Sequence, residues 1–385
     1  MKKALTATTA LVAAGVVSAG PAAAQIELRL DGYMNNFFGF GEVDNDDDNV
    51  DRNPTNLFSD GEVWFVGEYT ADNGITFGAN IQLESFGTTP DHVDENFAFI
   101  EGSFGRINVG SENTAAYLMQ YSAPEAGAPI NSGWLTSFIP PSDDQTAAFR
   151  HPSISTFLDY GNDENGISYF TPRFAGFQLG LTYTPTIDGS GDGSNEPADT
   201  DCSGEGNTCD GSNGFSVGLN FVESFNGFDV AVAGGFRTAT EAVSEANPAA
   251  ATTANPSPTS QSATDQLYQY SAGLNLGFGG FTVGGSFALE DSDQATEGHS
   301  WDAGVSYSTG PITVAATYFQ SESEGSAGTD GEDELRAAKV AINYTLAPGI
   351  ITSGTLLYAE WEDEDNNANN DVEGIVGIIG LRYNF

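Results

Sequence analysis

The feature that most restricts this chain is a period-two alternation of apolar and polar residues. It recurs from Gln25 to the final residue in stretches of about 8 to 14 residues, the length of tilted strands. Ile26, Leu28 and Leu30 fall on one face while Glu27, Arg29 and Asp31 fall on the other. Ile75, Phe77, Ala79, Ile81 and Leu83 alternate with Thr76, Gly78, Asn80, Gln82 and Glu84, and Phe281, Val283, Phe287 and Leu289 with Thr282, Ser286 and Glu290. Successive side chains of a strand point to opposite sides, so each stretch reads as a strand with one greasy and one small or polar face. Roughly sixteen such strands are expected.

An apolar strand face can pack on a second sheet, as in a soluble sandwich, or face lipid from a closed barrel. The connections separate these. Short turns are expected at Asp72-Asn73-Gly74, Phe104-Gly105, Pro172 to Gly176, Ser224 to Gly227, Gly277 to Gly280, Thr309-Gly310 and Pro348-Gly349. Asn73-Gly74 suggests a type I′ hairpin turn, with positive φ at both central residues. Between the turns lie longer, acidic connections near residues 41–55, 87–93, 113–165, 186–213, 240–264, 291–297, 321–331 and 362–371. Long and short alternate throughout, the asymmetry of a transmembrane barrel with short turns on one side and long loops on the other.

Composition agrees. The chain has 47 glycines, 26 Phe and 14 Tyr, and carries 54 acidic against 11 basic residues, a formal charge of -43. Such a surface repels nucleic acid. Residues 1–24 read as a signal peptide: Lys2 and Lys3 precede a small-apolar stretch from Leu5 to Gly20, and Ala22-Ala23-Ala24 is an A-x-A cleavage site. Residues 25–385 are then expected as one barrel domain. No later run of 18 or more apolar residues exists for a spanning helix, so a membrane role requires a closed barrel. Trp64, Tyr69, Phe77, Trp301, Tyr318, Tyr358, Trp361 and Tyr383 lie near strand ends and are candidates for interfacial girdles.

Three segments resemble the trimeric general-diffusion porins of Gram-negative bacteria. Asn96 to Gly110 (NFAFIEGSFGRINVG) looks like the hairpin before that family's constriction loop, and Tyr169 to Tyr183 (YFTPRFAGFQLGLTY) like the hairpin after it. The ending GLRYNF alternates Leu381, Tyr383 and Phe385, as in strands recognised by the barrel assembly machinery. The resemblance implies an all-β, antiparallel transmembrane barrel of sixteen strands in the outer membrane, closure of the first strand on the last, and a homotrimer among lipid and lipopolysaccharide. It also implies that residues 113–165 fold inward as the third external loop and narrow a water-filled channel. At about fifty residues that connection is far longer than most, which independently suggests a functional insertion.

In the resembled family acids on the loop face bases on the wall. Candidate acids are Glu112, Glu125, Asp143, Asp144 and Asp159; candidate bases on the polar face are Arg29, Arg106 and Arg382, with Arg150 and Arg173 as further options. Arg29 and Arg382 are neighbours if the first and last strands pair. The three wall arginines are equally readable as ion-pair anchors for Glu27, Asp31 or other carboxylates near the periplasmic rim. The excess of acid over base favours cations. A sugar-selective channel is the alternative, with Tyr117, Tyr121, Trp134 and Phe138 as the aromatic candidates, although these rings also suit packing of the loop on the wall.

Cys202 and Cys209, the only cysteines, are candidates for a disulfide in a long external loop. Asp44 to Asp51 and Glu360 to Asp365 are acid clusters that suit loop-bound Ca²⁺ or cation bridges to lipopolysaccharide, or simply solvated loop tips. His92, His151 and His299 fall in expected loops, far apart in sequence. With no G-x-S-x-G or H-E-x-x-H element, neither catalysis nor a cofactor is expected.

Overall fold

A computed structural model describes residues 26–45, 52–85, 93–141, 155–187, 197–198, 210–247, 259–292, 297–324, 331–362 and 371–385. Among them the strands are, in chain order, β1 (Glu27–Asn45), β2 (Thr55–Thr70), β3 (Thr76–Glu84), β4 (Val93–Gly102), β5 (Gly105–Ser111), β6 (Asn165–Phe170), β7 (Phe177–Ile187) and β8 (Gly211–Phe225). They continue with β9 (Phe228–Asn247), β10 (Thr259–Phe278), β11 (Phe281–Ser292), β12 (Gly298–Thr309), β13 (Ile312–Glu324), β14 (Glu332–Ala347), β15 (Ile350–Glu362) and β16 (Val372–Asn384). Between β5 and β6 lie a four-residue helix, α1 (Ala115–Leu118), and a short 3-10 turn (Gly133–Ser137). No helix among the described residues is long and apolar enough to cross a membrane.

Each strand pairs antiparallel with the next, and β16 pairs with β1, so the sheet closes on itself. At the seam Asn384 lies opposite Tyr33 and Val372 opposite Asn45. Gly32 N donates to the Phe385 carbonyl at 2.9 Å and Phe385 N donates to the Gly32 carbonyl at 3.0 Å. Closure satisfies the backbone groups that an open sheet would leave bare, a condition for residing in lipid.

The two faces are sorted opposite to those of a soluble protein. Leu28 is 81% exposed, Val283 55% and Ile379 57%, all on the outside, while Ser300, Asp302 and Thr317 are buried within. Leaving one large apolar side chain in water forgoes about 1.5–3 kcal/mol, so a full belt of them requires lipid as its solvent. Paired rings mark both ends of the belt. Phe228 and Phe278 stack at 4.4 Å beside short turns, and Trp301 meets Tyr318 at 5.2 Å toward the long-loop side.

Trp64 and Trp361 depart from the expected girdle. They fall on the inward phase, with Val66 on β2 and with Leu357 and Ala359 on β15, and Trp361 is fully buried. Alternation decides the face, and nearness to a strand end does not.

The turn at Asn73-Gly74 also differs from expectation. Only Gly74 has positive φ (79°), Gly74 N donates to the Ala71 carbonyl at 2.8 Å, and Asn73 Oδ1 accepts from Ile75 N at 3.2 Å. The glycine therefore supplies the left-handed residue of a three-residue loop in place of a type I′ turn.

Strands reach beyond the apolar belt. β9 and β10 pair from Phe228↔Phe278 up to Asn247↔Thr259, so much of the 240–264 region expected as loop is hairpin. Ladder hydrogen bonds need no apolar face, and the hydropathy signal fades before the pairing does. His299, expected in a loop, lies on β12 with its Nε2 3.7 Å from Glu322 Oε2.

Candidate functional site: the inward loop and the wall facing it

The chain between β5 and β6 turns into the barrel and runs along its inner wall. Ala115 N donates to Thr182 Oγ1 at 2.9 Å on β7 and Ala116 N to Ser216 Oγ at 3.0 Å on β8. Farther on, Asn275 Nδ2 on β10 donates to the Ser122 carbonyl at 3.0 Å, Thr317 Oγ1 on β13 to the Pro124 carbonyl at 3.2 Å, and Gly127 N to Asn343 Oδ1 on β14 at 2.9 Å. The path then crosses the seam: Trp361 Nε1 donates to the Ile139 carbonyl at 2.9 Å, and Asn56 Nδ2 on β2 to the Ser137 carbonyl at 2.5 Å. Small inward residues make this close approach possible. A Cβ on Gly273 would come within 1.8 Å of the Tyr121 carbonyl oxygen.

Two attachments stand out chemically. Asp302 on β12 accepts from Ala123 N (3.1 Å to each oxygen), Asn131 Nδ2 (2.6 Å), Ser286 N (2.5 Å) and Ser286 Oγ (2.7 Å). Lys339 on β14, its side chain fully buried, donates to the Ala128 carbonyl at 2.6 Å and pairs with Glu125 Oε1 at 2.9 Å. An apolar cluster completes the seat: Ile130, Leu135, Phe138 and Ile139 from the loop pack on Phe37, Leu335, Leu357 and Trp361.

The sequence-derived candidates fall in different places. Glu125 meets the wall through Lys339, with Arg382 close enough to interact electrostatically. Glu112 stands where the loop leaves β5, accepting from Asn108 Nδ2, and Asp159 lies on the returning limb within the field of Tyr117 and Arg237. Arg382 donates from Nε to Asn35 Oδ1 at 3.0 Å and lies within the field of Asp60 and Tyr33.

Arg29 and Arg106 sit low on the wall. Arg29 pairs with Asp31 and, at 3.5 Å, with Glu68; Arg106 pairs with Glu101 at 3.4 Å and covers the Phe99 ring at 3.9 Å. Arg29 and Arg382 are not neighbours: the register sets Arg382 opposite Asn35, because β1 continues past the end of β16. Arg173, the further option, is tied into the β6–β7 turn through the Gly176 carbonyl at 2.7 Å and Asn220 Oδ1 at 2.8 Å.

Residues 1–24, Asp143, Asp144, Arg150, His92, His151, Cys202 and Cys209 lie outside the described residues, as does most of the Asp44–Asp51 cluster. Of the other acid cluster, Glu360 and Glu362 are within 3.8 and 3.0 Å of Arg336. Among the described residues no group of three or more His, Cys, Asp or Glu is placed to hold a metal ion.

The loop reaches Phe37 on β1 and Asn56 and Phe58 on β2, and the wall it leaves uncovered lies beyond them on β1 to β3, toward the short turns. Its inward phase presents Tyr33, Asp60, Glu62 and Trp64, with Gln82 and Glu95 beyond them. Glu62 accepts from Tyr33 OH at 2.6 Å and from Trp64 Nε1 at 2.5 Å, and directly faces Glu84 across the strand pair. Lys339, Asp60, Glu62 and Asp302 join the site beyond the sequence-derived candidates, and their signal is that all four lie on the polar phase of their strands.

The four aromatic candidates of the loop are engaged in packing. Tyr117 lies 5.1 Å from Phe157, Trp134 lies between Phe37 (5.8 Å) and Phe58 (5.2 Å), Phe138 meets Phe58 at 6.3 Å, and the Tyr121 backbone fits over Gly273.

A closed antiparallel barrel with a lipid-facing apolar belt, a polar interior and a long connection folded inside defines an outer-membrane channel protein. The chain belongs to the Gram-negative porin family, whose model matches residues 7–369. An uncharacterized protein of Rickettsia bellii is 22% identical, with 98% of this chain and 97% of that one covered, and one of Rickettsia conorii is 23% identical over 100% of both. Among solved structures, OmpT of Vibrio cholerae in a trimer form superposes with a TM-score of 0.59 at 13% identity over 94% of this chain and 99% of that one. The anion-selective porin from Comamonas acidovorans gives 0.59 at 13%, covering 94% and 100%, and Salmonella typhi OmpF gives 0.57 at 12%, covering 93% and 97%.

Proposed function

We propose that this porin is a passive, cation-preferring diffusion channel for small hydrophilic solutes, narrowed by the inward loop of residues 113–165. The observation that carries the reading is the charge of the uncovered wall. Asp60 and Glu62 lie on it, and Arg382 is the neighbouring base, while Lys339 is engaged by Glu125 beneath the loop. Selectivity follows the field of the charges lining the narrowing, and here carboxylates dominate it. A structural neighbour described as anion-selective shares the fold, so the fold leaves the sign of selectivity to these side chains.

Trimeric assembly belongs to the same proposal. A neighbour is known in a trimer form. On the outer face of β1 and β2, Ser59 Oγ donates to Asn36 Oδ1 at 3.0 Å, a polar pair better covered by a second copy than by acyl chains. Residues 1–24 act as a signal peptide in this reading, and Phe385 presents the last strand to the assembly machinery.

The test is the reversal potential of the protein in a planar bilayer under a KCl gradient. A potential of the sign set by K⁺ supports the proposal, and one set by Cl⁻ refutes it. Conductance inserting in threes reports the trimer.

A further inference from the structure

The open wall carries an aromatic pair that the register of two strands brings together. Tyr33 on β1 and Trp64 on β2 both face inward, and the pairing sets Tyr33 opposite Glu62, Asn35 opposite Asp60 and Asp31 opposite Trp64. The two rings are therefore diagonal neighbours, within reach of each other across the strand pair. Their centroids lie 6.1 Å apart at 70°, an edge-to-face contact that occupies one face of one ring. Tyr33, Asp60, Glu62 and Trp64 are all half-buried, so each keeps surface open to the passage.

The donors of this patch are spent within it. Tyr33 OH donates to Glu62 Oε1 at 2.6 Å, and Trp64 Nε1, the one donor of its ring, to Glu62 Oε2 at 2.5 Å. Asn35 Oδ1 accepts from Arg382 Nε at 3.0 Å, and Asn35 Nδ2 reaches Asp60 Oδ2 at 3.5 Å. What faces the water is ring surface, whose π faces are negative, and carboxylate oxygen, which only accepts. Glu84 faces Glu62 from β3 and adds to the same sign. Of the bases, Arg382 lies toward the long loops, and Arg29 below is engaged by Asp31 and Glu68. A sugar requires donors as well as acceptors from its site, and this patch offers few. An alkylated ammonium group requires no donor, and it sits well over ring faces beside carboxylates.

We propose that Tyr33, Trp64, Asp60 and Glu62 form a subsite of the passage for alkylated ammonium groups, where a cationic organic solute rests with its methyl groups on the rings and its charge beside the two carboxylates. The subsite rests on the reading of the channel as cation-preferring and adds to it a distinction among cations. A small metal ion keeps its water shell and is drawn by charge alone. An alkylated ammonium ion gains the ring contact as well, which raises its occupancy roughly twofold to fivefold at a partly exposed site. Its residence at the wall then obstructs the smaller ions that share the passage.

The experiment follows single-channel K⁺ conductance in a planar bilayer as choline chloride is added at fixed KCl, with dimethylbutanol, the uncharged carbon analogue of choline, titrated in parallel. Choline should lower the conductance saturably, and the analogue should leave it nearly unchanged. Trp64→Leu, which removes the ring, should raise the half-blocking choline concentration roughly twofold to fivefold, whereas Trp64→Phe, which keeps a ring face and loses the N–H, should hold most of the block. Absence of choline block, equal block by both solutes, or the same half-blocking concentration in Trp64→Leu as in the unmodified chain overturns the subsite. Where Trp64→Leu fails to fold, Tyr33→Leu takes its place, with the same shift expected and an unchanged value refuting the subsite. The reversal potential of the unmodified channel in KCl keeps the two readings apart. A sign set by Cl⁻ refutes cation preference itself, and a sign set by K⁺ without choline block refutes the subsite alone.

Discussion

Lys339 Nζ stands 2.9 Å from Glu125 Oε1 and 2.6 Å from the Ala128 carbonyl oxygen, so one wall cation holds the inward loop by both charge and backbone. The pair removes a base from the lumen and fixes the middle of the loop.

Replacing Lys339 by Met leaves Glu125 facing the wall without its partner. Removing one member of a buried ion pair costs about 3–5 kcal/mol. The heat-induced mobility shift of the barrel on gels should therefore move to lower temperature, and cation preference should increase because Glu125 is no longer neutralised. A variant with unchanged thermal behaviour contradicts the pair's role.

Asp302 gathers donors from the loop and from β11. Asp302→Ala takes the side-chain acceptor from Ala123 N and Ser286 N and one of two partners from Asn131 Nδ2 and Ser286 Oγ, which keep Thr156 Oγ1. Each orphaned buried donor costs about 1–3 kcal/mol where water does not replace the partner. The loop should detach locally and admit larger solutes. Liposome-swelling rates with sugars of graded size measure this, and an unchanged exclusion limit rules out Asp302 as an anchor.

Asp60→Asn together with Glu62→Gln takes two charges from the uncovered wall. The reversal potential under a KCl gradient should fall toward zero, and the remaining preference should weaken further between about 0.1 M and 1 M salt as the screening length drops from about 10 Å to about 3 Å. A double variant as selective as the unmodified channel shifts the origin of selectivity to other residues.

Deleting Phe385 removes both seam hydrogen bonds to Gly32, each of net value about 1 kcal/mol, along with the contact of its ring at the closure. Refolding into detergent micelles should give a smaller heat-modifiable fraction even without any assembly machinery. Equal yields would confine the importance of Phe385 to recognition by that machinery.

Much of the fold is legible from local pattern because lipid outside and water inside act on alternate residues of every strand. Phe77 and Ile81 face outward and Gln82 inward for that one reason. The same rule, followed strictly, places Trp64 and Trp361 inside, and Lys339 beside Ala337 and Ala341 on the inner face of β14. Their phase along the strand sets the face, and nearness to a strand end carries no information about it. The reach of β9 and β10 was not readable, since backbone pairing above the membrane leaves no mark in hydropathy.

By itself, then, the sequence determined a closed ribbon with an apolar outside, the positions of its short turns, and an excess of carboxylates with few bases to oppose them. Only the tertiary structure decided which inward residues line the open passage and which serve as the seat of the loop. That choice rests on contacts such as Ala123 with Asp302, 179 residues apart, and Ala128 with Lys339, 211 apart. Strand periodicity is a local property. The path of a loop across a wall is set by hydrogen bonds and packing between distant segments, which no local pattern encodes.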